Sequence, residues 1–284
     1  MTEATTSAIG RRPYGFRLGP LPMVSRSEAA GLFFNACGAA LLFIDPVAAG
    51  ILFALYPALC LAGAFFPSWN FFLPVLSRGD GKSGEVALTF DDGPDPVSTP
   101  HLLNLLDRHQ VKAAFFVVGE KAEANPSLVR EIIARGHEIG NHSQDHDFFL
   151  MLRSEEELLR NLTRCREVLL RHGVRPLAFR PPLVITNSRL PKVLRRLGMF
   201  CAGYACRPRD FGNMRVRGLA KRLVGSAAPG DVVLLHDCSP RGDLGEWLKE
   251  VDAALTGLKA RGMEFRPLSV VLDRKVMEWV PSQP

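Results

Sequence analysis

From Ala29 to Phe66 the chain carries no Lys, Arg or Glu, and Asp45 is the sole carboxylate. So lipid-like a stretch constrains the fold more than any short motif, because it must either be enclosed by protein or cross a bilayer. It divides at Asp45-Pro46 into Ala29 to Ile44, short for a span of about 20 residues, and Val47 to Phe66, which is long enough. Proline is unstrained at the start of a helix, so Asp45-Pro46 reads as the turn of a helical hairpin. The 47% hydrophobic content of the 284 residues is unevenly spread, and without this stretch the remainder has an ordinary soluble composition.

Residues 1–26 carry Arg11, Arg12, Arg17 and Arg26 among Pro and Gly and read as a flexible basic tail. A cleaved signal peptide is the competing reading, but the apolar material is too long and lacks a small-residue cleavage site. Four Arg precede the apolar pair, Arg78 and Lys82 follow it, and the turn between has no positive residue. That pattern predicts a transmembrane hairpin over 27–66 in an inner membrane with both ends cytoplasmic. If only the second run spans, the domain that follows lies opposite the tail. Phe65-Phe66-Pro67-Ser68-Trp69-Asn70-Phe71-Phe72 sets aromatics at a membrane interface, and Ser77 to Gly84 is polar and Gly-rich. Residues 67–84 are therefore read as an interfacial stretch and linker, 85–275 as the folded domain, and 276–284 as a tail.

The net charge of +6 fits basic membrane flanks better than a nucleic-acid partner, since the Arg residues are scattered without interleaved aromatics. Cys37 and Cys60 fall in the apolar stretch and Cys165, Cys201, Cys206 and Cys238 in the domain. None has C-x-x-C spacing, and free thiols lean towards a reducing compartment.

After residue 84, short apolar runs alternate with helical patterns. Strands are predicted at 85–90, 113–118, 137–140, 177–179, 199–204, 231–236 and 265–267. Helices are predicted at 99–110, 126–135, 154–171, 188–197, 216–226 and 244–261. Such alternation predicts an α/β barrel or an open parallel sheet. In either, loops at the carboxyl ends of the strands form the reaction crevice.

Thr89-Phe90-Asp91-Asp92-Gly93-Pro94 ends the first strand with two adjacent carboxylates, which need a cation or a proton between them. By itself the motif is also an ordinary turn. Asn141-His142-Ser143-Gln144-Asp145-His146 spaces two histidines four apart, a spacing that on a helical turn puts both rings on one side and suits a divalent metal. Two surface histidines are the bland alternative. Asp145 and Asp147 are read as loop solvation. Phe179-Arg180-Pro181-Pro182 presents a lone Arg after a strand, Arg209-Asp210-Phe211 follows another, and a buried strand delivers His236, before Asp237, to the same rim.

TFDDGP, NHSQDH, FRPP, RDF and LLHD, in this order and approximate spacing, resemble the NodB-homology polysaccharide deacetylases, carbohydrate esterase family four, over about residues 85–270. The resemblance implies a distorted (β/α) barrel with a metal-dependent N-deacetylase site. Asp92, His142 and His146 would hold the metal, Asp91 would be general base and His236 general acid. Arg180 would orient Asp91, and Asp210 would pair with Arg180. The Asp/His/His set suits zinc first, with cobalt, nickel or manganese as alternatives. Two departures touch the substrate side: Leu183-Val184 stands where the family has an aromatic and Gly, and Asp210-Phe211 replaces Asp-Trp, with Arg207 where the longer motif has an acid.

The leading expectation is a membrane-bound, metal-dependent hydrolase that removes an acetyl or formyl group from an amino sugar, lipid-linked if the domain is cytoplasmic. An outward-facing deacetylase of peptidoglycan or another envelope polysaccharide is the alternative, and an inactive sugar-binding membrane protein the third reading. The oligomeric state is not legible.

Overall fold

The computed structural model describes residues 24–81, 84–240 and 242–281. Arg11, Arg12, Arg17 and Lys82, used above to orient the hairpin, lie outside the described residues. The apolar stretch forms two antiparallel helices, α1 (Arg26–Leu41) and α2 (Pro46–Phe65). Ser25 and Glu28 make a capping box at the first, and the Asp45 carboxylate accepts the amides of Val47 and Ala48 at the second. Gly31 lets the helices meet, since a Cβ there would sit 2.9 Å from the Tyr56 ring. Among the described helices α2 alone is long and apolar enough to cross a membrane. The 16 residues of α1 rise only about 24 Å. Both ends of the hairpin sit on the domain: the Ser27 amide donates to the Phe71 carbonyl (3.0 Å) and the Thr186 amide to that of Ala64 (3.3 Å).

The domain alternates as predicted. The chain runs β1 (Val75–Leu76), β2 (Glu85–Asp91), α3 (Ser98–Arg108), β3 (Ala114–Val117), α4 (Gly119–Ala124), α5 (Pro126–Ala134) and β4 (Glu138–Asn141). It continues through α6 (Glu155–Arg171), β5 (Val174–Pro176), β6 (Ala178–Phe179), α7 (Leu190–Leu197), β7 (Phe200–Ala202), α8 (Leu219–Ser226) and β8 (Val232–His236). It ends with α9 (Leu244–Ala260), β9 (Glu264–Phe265), α10 (Leu268–Val271) and β10 (Met277–Trp279). Strands β2, β3 and β8 are buried almost throughout, which is why each reads as an unbroken apolar run: helices cover the outer face and the barrel fills the inner one.

The main sheet is parallel in the order β1-β7-β6-β4-β3-β2-β8, with β9 beside the start of β2. It curls until its edges meet through irregular backbone contacts, a Cys206–Val233 bridge and the Val232 amide on the Ser77 carbonyl (3.2 Å). The result is the distorted barrel expected of the resemblance, with all strand ends on one rim.

The fold reaches beyond 85–275 at both ends. The segment read as a linker contributes β1, which pairs with β7, and the stretch read as a tail contributes β10, which pairs antiparallel with β5. Phe71 and Phe72, read as interfacial, are buried against the helix α7 side of the core, whereas Phe65, Phe66 and Trp69 are exposed. Each buried Phe contributes about 1.5–3 kcal/mol, enough to hold this connection against the barrel.

Candidate active site

Strand β2 ends at Asp91, and Asp92 follows in the left-handed region (φ 71°), a conformation that Asp tolerates better than most residues. The reversal turns the two neighbouring carboxyl groups into the same crevice. The Asp237 amide donates to the Asp91 carbonyl at 2.7 Å, tying the ends of β2 and β8 together. The fully buried Asp237 carboxylate accepts the hydroxyls of Ser98 (2.8 Å) and Thr99 (2.6 Å). Burial pushes its pKa up to about 7, against the pull of those hydroxyls. Gly93 is obligatory here, because a Cβ would lie 2.5 Å from that immobile carboxylate.

His142 follows β4, its amide fixed on the Val117 carbonyl. Its Nδ1 lies 2.7 Å from the carbonyl oxygen of Arg180. A carbonyl only accepts, so Nδ1 carries the proton and Nε2 is the free lone pair. That Nε2 lies 3.3 Å from Asp92 Oδ1, and Nε2 of His146 lies 3.0 Å from the same oxygen. The histidines sit on a loop, not on the helical turn that their spacing suggests. Positive φ at Ser143 (72°) and His146 (54°) folds the loop back and brings the ring centroids to 5.0 Å.

One donor atom from each of Asp92, His142 and His146 lies within 4.8 Å of the others. The two histidine nitrogens lie 3.3 and 3.0 Å from the Asp92 oxygen, of the size that ligands at about 2.0–2.2 Å from a shared ion keep, and the oxygen and nitrogen donors are of the type a divalent transition metal takes. Burial opposes ionisation of Asp92, but the two imidazoles hold its carboxyl far below the usual range; burial likewise opposes a charged His142, and Asp91 and Asp92 outweigh it and raise its pKa. Asp145 and Asp147 stand apart from this group. The first accepts from Asn161 (2.8 Å) and the second from the Phe149 amide and Arg153 (2.8 and 3.0 Å).

Arg180 is wholly buried beneath the site, its guanidinium 4.0 Å from the centroid of the Phe116 ring. It donates to Asp91 Oδ1 (2.7 Å), Thr89 Oγ1 (2.8 Å) and the Gly203 carbonyl (2.7 Å). One oxygen of Asp91 is thus tied down while Oδ2 lies 3.8 Å from His142 Nε2, towards the Asp92, His142 and His146 cluster. The expected pairing of Asp210 with Arg180 is not what the structure has. Asp210, itself buried, accepts from Nδ1 of His236 at 2.8 Å. The reason is topological: the loop after β7 runs under the end of β8, where Asn213 and Asp210 meet it, while both terminal nitrogens of Arg180 already donate to β2 and to Gly203 after β7. Burial opposes a charged His236, but the Asp210 carboxylate beside it wins and raises the pKa to about 9.

Thr89 and Asp237 fall inside the TFDDGP and LLHD motifs but carry no role in the sequence reading, and Asn213 lies outside every motif. Asn213 donates to the carbonyls of His236 (3.0 Å) and Cys238 (2.7 Å), fixing the strand end that bears His236. Thr89 had a signal, because it is the inward neighbour, two residues before Asp91 on the same strand. Asn213 had none.

The departures also take physical form. Val184 occupies φ 54° and Leu183 φ 56°, left-handed positions where a glycine at 184 would be unstrained and a β-branched residue is not. Arg207 stacks on the Tyr204 ring (5.2 Å to the centroid), and Phe211 is exposed.

Residues 78–202 match the polysaccharide deacetylase family. Curated relatives include a peptidoglycan-N-acetylglucosamine deacetylase of Bacillus cereus, 34% identical over 192 residues that span 67% of this chain and 89% of the relative. A chitooligosaccharide deacetylase of Sinorhizobium fredii is 32% identical over 180 residues, 61% of this chain and 81% of the relative. The crystal structure of a peptidoglycan N-acetylglucosamine deacetylase superposes with a TM-score of 0.64 at 31% identity, over 71% of this chain and 94% of that one. A pseudoenzyme of carbohydrate esterase family four from Bacillus anthracis reaches the same TM-score at 23% identity, a likeness of fold alone, so activity must be argued from the site and not from the barrel. With the motifs, the barrel and the relatives in agreement, this chain belongs to the polysaccharide deacetylase family.

Proposed function

We propose that the chain is a membrane-anchored hydrolase that removes the N-acyl group of an amino sugar presented at the bilayer surface, with Asp92, His142 and His146 holding the metal. As a polysaccharide deacetylase it is a metal-dependent enzyme acting on carbon–nitrogen bonds other than peptide bonds. The observation that carries the residue roles is the division of the crevice. Three ligand atoms converge beside a carboxylate whose second oxygen is left unbound by Arg180, and a histidine charged by its own aspartate lies at the end of the neighbouring strand.

A divalent ion at the triad, zinc in the first instance, supplies Lewis acidity that acidifies water and polarises the acyl carbonyl. Asp91, positioned by Arg180, accepts the proton of the attacking water through Oδ2. His236, kept protonated by Asp210 to about pH 9, donates to the departing amine, without which the carbon–nitrogen bond does not break. Arg180 acts only through Asp91 and is a positioning residue.

Support for the membrane reading comes from the exposed apolar surface of α1 and α2 and from both hairpin ends resting on the domain. A hairpin so built keeps the tail and the domain on one side, and the basic flanks favour the cytoplasmic side. The substrate is then a lipid-linked amino sugar of the inner leaflet. The relatives named for peptidoglycan favour the second reading, an outward-facing enzyme on an envelope glycan.

The test is hydrolysis by the full-length protein, loaded with zinc, of lipid-linked N-acylated amino sugars against the free sugars and soluble peptidoglycan fragments. Removing the segment before Glu85 is not a usable control, because it deletes β1 and the buried Phe71 and Phe72. Faster turnover of the lipid-linked substrate is expected. Faster turnover of soluble glycan fragments replaces the inner-leaflet reading with the outward-facing one.

A further inference from the structure

Three neighbouring strands, β4, β6 and β7, send their carboxyl-end loops to the same side of the crevice, and each loop ends in large apolar side chains turned to solvent. Phe148, Phe149 and Leu152 follow β4, Leu183 follows β6, and Phe211 and Met214 follow β7, with exposures of 56–76%. Beyond residue 70, the other large exposed apolar side chains among the described residues are only Val97, Val270 and Trp279. A soluble enzyme gains nothing by holding such a collar in water, and exposed apolar side chains gathered on one rim mark a contact site.

Two observations choose the contact. First, the collar is continuous with the end of α2. The loop carrying Leu183 is bonded through the Thr186 amide to Ala64, one residue before the helix stops. A cleft of about 570 Å³ joins Phe65 and Phe66 at that helix end to Val184 and Tyr204 at the crevice. If α2 spans, one wall of the crevice stands at the membrane boundary. Second, the loop after β7 interleaves its apolar residues with exposed Arg207, Arg209 and Arg215. Alternating cationic and apolar side chains suit an anionic headgroup layer over acyl chains. A glycan chain would instead be gripped by flat aromatic rings, whereas half of this collar, Leu152, Leu183 and Met214, is flexible and has no ring.

We infer that this rim lies on the bilayer, with Leu152, Leu183, Phe211 and Met214 dipping among the lipid headgroups so that the crevice opens onto the membrane surface and receives its substrate laterally. The inference rests on the membrane-anchored reading above and adds to it the face by which the domain docks.

An environment-sensitive fluorescent amino acid incorporated singly at Leu152, Leu183 or Met214 reads depth without reference to catalysis. Val270, on α10 beside the opposite end of β2, is the water-facing control, and Phe43 at the hairpin tip reports insertion itself. The full-length protein is reconstituted into phosphatidylethanolamine–phosphatidylglycerol vesicles with and without spin-labelled lipid. The expected result is a blue-shifted rim probe quenched at least twofold more by shallow-labelled lipid than the Val270 probe. A quenched Phe43 probe with rim probes that behave like Val270 overturns the docking inference and leaves the anchor standing. An unquenched Phe43 probe overturns the anchor and the docking inference together.

Discussion

The two walls of the crevice are built on different principles. On the β2–β3–β4 side the chemical groups are held by the sheet: Asp91 by the Asp237 amide and by the Arg180 guanidinium reaching across from the end of β6, and His142 by the carbonyls of Val117 and Arg180. On the β6–β7 side the loops carry Leu183, Val184, Arg207 and Phe211, mostly exposed and partly in left-handed backbone. His236 and Asp210 stand between, a strand-end histidine held by a loop aspartate. The contrast follows from what each wall must do. Metal ligation and proton abstraction tolerate only errors well under an ångström, so Asp91, Asp92 and His142 stand at strand ends and His146 sits on a short loop pinned by its amide to Ser143. Groups that meet substrate or membrane can vary with the loops, and here is where the chain departs from its family.

The largest effects should come from breaking the locked wall. On the proposed ligand set, His142→Ala or Asp92→Ala removes one donor of three. Bound metal should fall well below one per chain and turnover by about 10³-fold or more, measured by elemental analysis and deacylation rate. A His142→Ala protein that keeps full metal content would show that the ligand set is wrong. Next in size, Asp91→Asn should lower turnover by about 10²–10⁴ while metal content stays at the wild-type level. Loss of metal in this variant would make Asp91 a ligand and erase the division of labour within the pair.

The locked wall was also the legible one. Val86 to Phe90, apolar except for Thr89, and Val232 to Leu235 read as apolar runs because both faces of these strands are covered, and that pattern shows in one dimension. TFDDGP and NHSQDH each keep their working residues within six positions, so local spacing sufficed. The remainder depends on pairings that sequence does not carry. Asp210 and His236 are 26 residues apart, and choosing His236 over Arg180 as partner requires knowing how the loop after β7 crosses. Strands β1 and β10 are two and three residues long, below any detectable period, and exist because the sheet edge and β5 offer them a ladder. The convergence of His142 and His146 arises from two left-handed residues, not from the helical period that first suggested it.

An intermediate effect tests the pair between the walls. In the proposed role His236 acts as an acid only while protonated, and the Asp210 carboxylate leads in lifting its pKa to about 9 against burial. Asp210→Asn removes that support, so the pKa falls towards the ordinary value of about 6.5 and the alkaline limb of the rate profile moves down with it. At pH 6 the loss should be slight, and at pH 8 about tenfold or more. An alkaline limb that stays put would mean that His236 is not the group titrating there.

The smallest effect belongs to the loop wall, at Val184. A β-branched residue at φ 54° carries strain of about 1–2 kcal/mol, which Val184→Gly would relieve. Against this, the side chain is buried, and deleting it forfeits about 1.5–2 kcal/mol of burial, with a further 0.5–1 kcal/mol of backbone entropy for glycine. The losses outweigh the relief by about 1 kcal/mol. Val184→Gly should therefore lower stability by no more than about 2 kcal/mol, read from chemical denaturation, with metal content unchanged. The metal ligands rise from β2 and β4 and share no hydrogen bond with the Val184 amide, which is bonded to the Pro181 carbonyl. Should the variant lose more than about 3 kcal/mol or shed its metal, the loop after β6 would have to be counted with the locked wall, and the freedom assigned to the β6–β7 side would shrink to the loop after β7 alone.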